Sequence, residues 1–299
     1  MFSIASLWIP FTIIAAMGQV ARNAMQRQLT GPLGTWGATN IRFLFGFPFS
    51  LVFLAVVLAA TGDHLPWPSA SFWPWLLLGA LAQIAGTGMM LLAMNERSFV
   101  VTTAYLKTEA IQTAIFGFVF LGDHLTVLKV TAILIATAGV VIAALRPGAE
   151  KGFTDLKPTL LGLGAAAAFA LAAVGVRGAV IVVPGVSFVT AASYTLVLTL
   201  FVQTLVLTIY LLWRAPKIVA AILGLWKPSM FAGFMGAFAS QFWFLAFALT
   251  AAANVRTLAL VEVLFAQGVA YYSFKQPVAA RELFGIVLIV IGVALLVAV

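Results

Sequence analysis

Long apolar runs alternate with short polar stretches along the whole chain. An α-helix needs about 20 predominantly apolar residues to cross the hydrocarbon core of a bilayer. Ten runs of about that length occur, at residues 6–27, 37–60, 72–94, 99–121, 128–146, 158–181, 187–213, 229–250, 257–274 and 282–299. They are continuously apolar and do not alternate with a period of two, which excludes strands of the outer-membrane type. Because lipid leaves open backbone groups without hydrogen bonds, the pattern predicts ten transmembrane helices.

The connections between these runs are short and carry turn residues. Thr30-Gly31-Pro32 follows the first run, and Pro184-Gly185 follows the sixth. Glycine and proline at such positions are typical of turns. The longest polar connection lies in the middle of the chain and separates two halves of five helices each. We therefore predict a first five-helix repeat at 1–147, a connecting loop at 148–157 and a second five-helix repeat at 158–299.

The two halves match each other in register. A shift of 153 residues places Glu109 on Glu262 and Gly139 on Gly292. A rare intramembrane acid and a helix-packing glycine thus match in one frame. Because five is odd, the second half must enter the membrane from the opposite side, and the repeats are expected to be inverted. Inverted repeats around a substrate site near the midplane are the arrangement of many secondary transporters.

Composition narrows the class of protein. Of the 299 residues, 64% are hydrophobic and only 8% are charged, whereas soluble domains carry about a quarter charged residues. This excludes a soluble enzyme, a secreted protein and a disordered segment. The net charge of +8 comes mostly from cations in short loops, where membrane proteins normally keep them, so no nucleic-acid partner is expected. Residues 1–4 lack the basic region of a cleaved signal, and we expect the first run to be a retained span.

The sequence contains no motif for catalysis, a cofactor or a metal. It has no cysteine, which excludes thiolate metal sites. It has no G-x-x-x-x-G-K-[ST] phosphate loop and no H-E-x-x-H zinc motif. The two histidines, His64 and His124, lie in loops. We expect no enzymatic activity, no cofactor and no metal.

Three stretches of the chain carry a resemblance to a known family. They are Arg42-Phe43-Leu44-Phe45-Gly46, Glu109 followed by Phe120-Leu121-Gly122-Asp123-His124-Leu125-Thr126, and Ala138-Gly139-Val140 with its echo Ile291-Gly292-Val293. With these stretches the chain resembles the drug/metabolite transporter superfamily, in its ten-helix EamA-type branch. Within that branch it is similar to the YddG-type amino-acid exporters. Ala110 and Val263 stand where the family usually has proline.

The resemblance implies a central cavity between the repeats, export of amino acids, and a multi-pass protein of the bacterial inner membrane. It also implies that both termini are cytoplasmic. The charge pattern indicates the reverse, because the cations crowd the odd-numbered loops and the positive-inside rule then places both termini outside the cytoplasm. The sequence leaves the orientation open.

Polar side chains inside the predicted fourth span are the first candidates for a transport site. A charged group deep in lipid costs several kcal/mol unless it has a partner or a cavity. Tyr105, Glu109 and Gln112 follow at i, i+4 and i+7, so they are predicted to share one helix face. Lys107 lies about 200° around the helix from Glu109 and must reach a different neighbour or the interface. All four are predicted to bind substrate.

Two interpretations of Glu109 stay open at this point. One is a site for a cation or a proton, and the other is a structural ion pair with Arg42. Arg42 itself is expected either to reach the membrane interface or to bind a substrate carboxylate. Glu262 is the repeat-related acid and is also a candidate for substrate binding. Leu258 and Phe265 replace its polar neighbours, which favours a structural role there.

The eighth predicted span adds two further candidates. Gln241 and Trp243 lie close together in it and are predicted to line the cavity wall and bind substrate. Amides inside spans otherwise join helices by hydrogen bonds. Both roles are compatible with the sequence for Gln241.

The leading functional hypothesis is a secondary exporter of amino acids or related small metabolites that works by alternating access. Proton coupling through Glu109 and uniport are equally compatible with the sequence. The alternative is efflux of hydrophobic cationic drugs or another metabolite by the same fold, which needs an acid in an aromatic cavity. The expected partners are the small-molecule substrate, membrane lipid and, for a coupled exporter, protons.

Overall fold

A computed structural model describes residues 4–96, 102, 105–144, 156–265 and 280–298 of the chain. Across these ranges the secondary structure is helical, without strands, which agrees with the predicted all-α class. The α-helices are α1 (Trp8–Leu44), α2 (Gly46–Thr61), α3 (Phe72–Glu96), α4 (Glu109–Leu121), α5 (Val127–Ala144), α6 (Leu156–Ile181), α7 (Phe188–Arg214), α8 (Pro216–Gly224), α9 (Trp226–Leu249), α10 (Ala252–Leu258) and α11 (Ala280–Val297). Two short 3-10 helices lie at Ile4–Leu7 and Ala259–Val261.

Within the described ranges, six helical segments are long and apolar enough to cross a membrane. They are Leu29–Thr61, Phe72–Met94, Leu156–Ile181, Phe188–Arg214, Trp226–Leu249 and Ala280–Val297. Six of the ten predicted spans coincide with them, and two more contain the shorter apolar helices Glu109–Leu121 and Val127–Ala143. Half of the predicted span 257–274 and most of the predicted loop 148–157 lie outside the described residues. The helices are those of a multi-pass membrane protein.

Helix α1 is sharply bent rather than straight. Gly34 has φ 66° and ψ 178° inside it, a left-handed φ that glycine adopts without steric strain. The amide of Gln26 donates to the carbonyl of Ala38, twelve residues later, at 3.1 Å. Twelve residues of straight helix would separate the two by about 18 Å. The arms on either side of Gly34 therefore run back along each other, and the chain turns close to the predicted turn at Thr30-Gly31-Pro32.

The chain divides into two compact units. The first unit consists of Met1–Ile84 and Gly175–Thr250. Its core contains a cluster of fully or almost fully buried side chains from both arms of α1 and from α7, α8 and α9: Leu29, Leu33, Ala38, Ile41, Leu211, Ile222 and Ala232. Burial of this apolar surface within the unit fixes the short helix α8 against the bent α1.

The second unit consists of Ala85–Val174 and Ala251–Val299. In it α5 and α11 pack backbone to backbone through glycines. A Cβ added to Gly285 would lie 2.5 Å from the carbonyl oxygen of Gly139, so the helices approach more closely than any side chain at these positions would allow. Small residues of this kind permit close helix packing where lipid supplies no hydrophobic drive. The predicted division into halves at 1–147 and 158–299 stays a prediction.

Candidate functional site

The helix of the predicted fourth span is interrupted just before its acid. Residues 105–106 are helical, 107–108 form a turn, and α4 begins at Glu109. The hydroxyl of Thr108 donates to the carbonyl of Tyr105 at 2.7 Å, and the Thr108 N–H donates to the same carbonyl at 3.1 Å. A threonine side chain that competes for a backbone acceptor in this way favours a turn over a regular helix. The bend thus forms with alanine, not proline, at position 110.

A second interruption occurs at the corresponding place in the second half. Helix α10 ends at Leu258, the 3-10 helix Ala259–Val261 follows, and Glu262 comes next. A shift of 153 residues aligns this 3-10 helix with the turn before Glu109. Broken helices of this kind free backbone groups and create the irregular geometry found at transporter binding sites.

Two ion pairs join these interrupted segments inside the second unit. The Nε of Arg256 lies 2.9 Å from Oε1 of Glu109. Lys107 is paired with Glu262 through its ammonium group. The four side chains are between 11% and 17% exposed, so each pair is largely removed from solvent. A charge at such a depth needs a partner, and each acid finds one on the other segment.

The pairing answers two questions raised by the sequence. The sequence predicts for Lys107 either a different neighbour from Glu109 or the interface, and the structure pairs it with Glu262. Two interpretations are open for Glu109 from the sequence, and the structure shows an ion pair in which the helix of Glu109 packs against α10 and Arg256 of α10 is the partner. Sequence reasoning missed Arg256, which stands at the margin of its span. The signal that could have identified Arg256 is that it stands six residues before Glu262, an acid inside a predicted span.

The other two candidates of the fourth span are held by hydrogen bonds. The hydroxyl of Tyr105 lies 2.8 Å from the hydroxyl of Thr159 in α6, and the amide of Gln112 donates to the hydroxyl of Thr108 at 3.1 Å. The chain turns at 107–108, so Tyr105 precedes the helix that carries Glu109 and Gln112. The common face of the three residues stays a prediction.

The remaining candidates lie in the first unit. Gln241 is buried, and its amide donates to the hydroxyl of Ser193 at 2.8 Å. Trp243 is also buried and stacks on Phe247, with ring centroids 6.2 Å apart. Gln241 therefore joins α9 to α7, and Trp243 stacks along α9.

Arg42 is buried as well, which is at odds with an interface position. It is 4% exposed, and its guanidinium lies 5.2 Å from the centroid of the Phe43 ring. A Cβ added to Gly236 of α9 would lie 3.1 Å from Cγ of Arg42 and 3.6 Å from Cδ of Arg22. The absence of a side chain at Gly236 leaves room for two basic side chains, one from each arm of α1.

A carboxylate in the loop after α2 caps the beginning of α7. Oδ2 of Asp63 accepts hydrogen bonds from the hydroxyls of Ser187 and Thr190, both at 2.6 Å, and from the N–H of Ser187 at 3.1 Å. These bonds, the Ser187 hydroxyl first, lower the pKa of Asp63 from 3.8 to about 2, because they stabilise the charged form. The cluster is structural and was not foreseen from the sequence.

Comparison with known proteins indicates the class of function. Residues 6–145 match the sequence model of the EamA-like transporter family, so this part of the chain is similar to that family. No curated protein matches the chain. One crystal structure of a protein superposes on 98% of this chain and 94% of its own, with a TM-score of 0.66 and 14% sequence identity. That likeness shows the fold alone. Together with the apolar helices, the family match indicates a membrane transporter of small solutes.

Proposed function

We propose that the chain is a secondary exporter of amino acids or related small metabolites, which crosses the inner membrane as two inverted five-helix repeats. The single observation that carries the proposal is the two ion pairs that join the interrupted segments. Glu109 binds a cation that precedes Glu262, and Glu262 binds a cation that precedes Glu109. The two acids are equivalent under the 153-residue shift, and each is paired with a cation of the other segment, although Lys107 and Arg256 themselves are not equivalent positions. Mutual contacts between repeats are what two-fold related repeats produce.

A zwitterion is the substrate that this arrangement suits best. An amino acid carries one ammonium and one carboxylate, and the Arg256–Glu109 pair presents the complementary groups at 2.9 Å. Substrate binding would replace one charge-assisted contact with two, so no charge is left unpaired in the low-dielectric interior. The Lys107–Glu262 pair then holds the two segments together. Alternating access would follow from rearrangement of the broken helices.

Coupling of substrate export to proton movement depends on whether Glu109 takes up a proton during transport. In a coupled exporter Glu109 takes up a proton when substrate separates it from Arg256, and in a uniporter it does not. Proton-coupled export and uniport down a concentration gradient therefore differ in one measurable property, the response to an imposed pH gradient.

The test uses purified protein in proteoliposomes with radiolabelled amino acids, with and without a pH gradient. The variants are Glu109→Gln, Arg256→Gln and the double variant. If both residues bind substrate, each single variant loses saturable uptake, and the double variant regains thermal stability without regaining uptake. If the pair is structural, the double variant regains both. A pH-gradient effect that disappears in Glu109→Gln assigns coupling to this carboxylate.

Efflux of hydrophobic cations is the alternative outcome of the same experiment. Folded protein that takes up no amino acid, and that transports a lipophilic cation in a manner abolished by Glu109→Gln, would replace the proposed substrate class. The fold and the role of Glu109 would then stand, and only the ligand would change.

A further inference from the structure

A short helix between two spans forms a cationic and aromatic surface in the first unit. Helix α8 has nine residues, Pro216–Gly224, and is about 13 Å long. It stands between α7 and α9, both long and apolar enough to span the membrane. A helix too short to cross, placed between two that cross, lies at the level of the lipid headgroups.

Each end of this connection carries a tryptophan next to a cation. The guanidinium of Arg214 lies 5.3 Å from the ring centroid of Trp213, and Nζ of Lys227 lies 5.8 Å from that of Trp226. The rings are exposed, Trp213 by 77% and Trp226 by 52%. Tryptophan prefers the headgroup region, where one side of the ring is apolar and the other wet. The cation–ring contacts hold the positive groups beside it.

The inner side of α8 is fixed to the unit. Ile222 is fully buried, and Ile218 packs so tightly on α1 that a Cβ added to Gly37 would lie 2.8 Å from its Cγ2. Pro216 begins the helix at a position that suits its fixed φ. The outer side, which includes Lys217 and Leu223, is exposed. The surface is therefore held in place by packing.

The charge of this surface has one sign. Arg214, Lys217 and Lys227 are all exposed, and the sequence contains no Asp or Glu anywhere between 156 and 261. Exposed cations at the membrane surface attract anionic headgroups, and each contributes about fivefold to the affinity at low salt.

We infer that residues 213–227 bind the phosphate headgroup of an anionic phospholipid. The three cations together attract the anionic headgroup, while Trp213, Trp226 and Leu223 lie along the glycerol and upper acyl region. This inference is independent of the transported substrate, because it uses none of the residues proposed to bind it.

The test compares lipids at the surface of the full-length protein in bilayers. Tryptophan fluorescence is quenched by brominated phosphatidylglycerol or brominated phosphatidylcholine mixed into the bilayer, which gives their relative binding constant. The variant is Arg214→Gln/Lys217→Gln/Lys227→Gln. The matched control is Lys129→Gln/Lys157→Gln, which removes two cations that lie outside residues 213–227. We expect the preference for phosphatidylglycerol to fall by at least tenfold in the triple variant and to stay unchanged in the control.

Three further measurements keep the inference testable if the triple variant is unstable. The charge-conserving variant Arg214→Lys/Lys217→Arg/Lys227→Arg should keep the preference, and high ionic strength should weaken it in the wild type. Inorganic phosphate should not displace the lipid, because it lacks the apolar part that the tryptophans bind. An unchanged preference in the triple variant, an equal loss in the control, or displacement by phosphate would overturn the assignment.

Discussion

Gly139 and Gly292 occupy equivalent positions in one helix–helix interface. A Cβ added to Gly139 would lie 2.6 Å from the carbonyl oxygen of Gly285, and one added to Gly292 would lie 2.7 Å from that of Ala132. Gly292 follows Gly139, and Gly285 follows Ala132, by the same 153 residues. Gly139 thus contacts Gly285, and Gly292 contacts Ala132, which is the residue equivalent to Gly285 in the other half. This is the contact pattern of a two-fold axis, and it supports the proposed inverted repeat independently of the charge pairs.

The first prediction concerns these glycines. Gly139→Ala and Gly292→Ala should each destabilise the protein by about 1–3 kcal/mol, because the new methyl group meets rigid backbone on the facing helix. The two losses should be similar, since the contacts are equivalent. Thermal unfolding of purified protein in detergent measures both.

The control for this prediction is Gly31→Ala. An added Cβ at Gly31 has no neighbour within 4 Å, and alanine is favoured over glycine within a helix. This variant should be as stable as the wild type or slightly more so. A loss at Gly31 as large as that at Gly139 would contradict the explanation by close packing.

The second prediction concerns the Lys107–Glu262 pair. Lys107→Gln or Glu262→Gln alone should destabilise the protein by about 3–5 kcal/mol, because each leaves a buried charge without its partner. The double variant should recover most of this loss, because it removes both charges and keeps the side-chain volumes. Unfolding of the four proteins forms a double-mutant cycle that measures the coupling. Additive losses would show that the two groups do not depend on each other.

The third prediction concerns pH and Asp63. Its folded-state pKa of about 2 lies below the ordinary value of 3.8. The stability that it contributes is therefore fully present above about pH 4 and is lost as the pH falls towards 2. Asp63→Asn should flatten the fall of Tm across this window, and Thr190→Val should flatten it in part. An unchanged slope in Asp63→Asn would mean that other carboxylates govern the acid transition.

The fourth prediction separates structure from substrate binding at Tyr105. Its hydroxyl bonds to that of Thr159 at 2.8 Å, so Tyr105→Phe and Thr159→Val should each cost about 1 kcal/mol. The two losses should not add, because either variant breaks the same bond. If Tyr105 also binds substrate, Tyr105→Phe should raise KM while Thr159→Val does not. Equal KM in both variants would make the role of Tyr105 structural.

The sequence predicted those features that depend on local pattern. Long apolar runs are enough to locate membrane helices, because the bilayer imposes one length and one secondary structure. The same reasoning found Glu109 and Lys107, since any charge inside such a run needs an explanation. Helix geometry alone also predicted that Lys107 and Glu109 lie on different sides of their helix.

The partners of these charges could not be predicted in the same way. Arg256 is 147 residues from Glu109 in the sequence, and only the packing of α4 against α10 brings them together. The turn between Tyr105 and Glu109 could not be predicted either. One hydroxyl, that of Thr108, competes for a backbone carbonyl and ends the regular helix that the spacing argument assumed.

The bend at Gly34 bears on the order in which the protein folds. The contact between Gln26 and Ala38 spans only twelve residues, so loop closure costs far less entropy than for contacts across the two halves. Chains emerge from the ribosome slowly compared with the formation of local contacts. The two arms of α1 can therefore pair before most of the protein has been synthesised, and this hairpin gives the later helices of the first unit a formed surface on which to assemble.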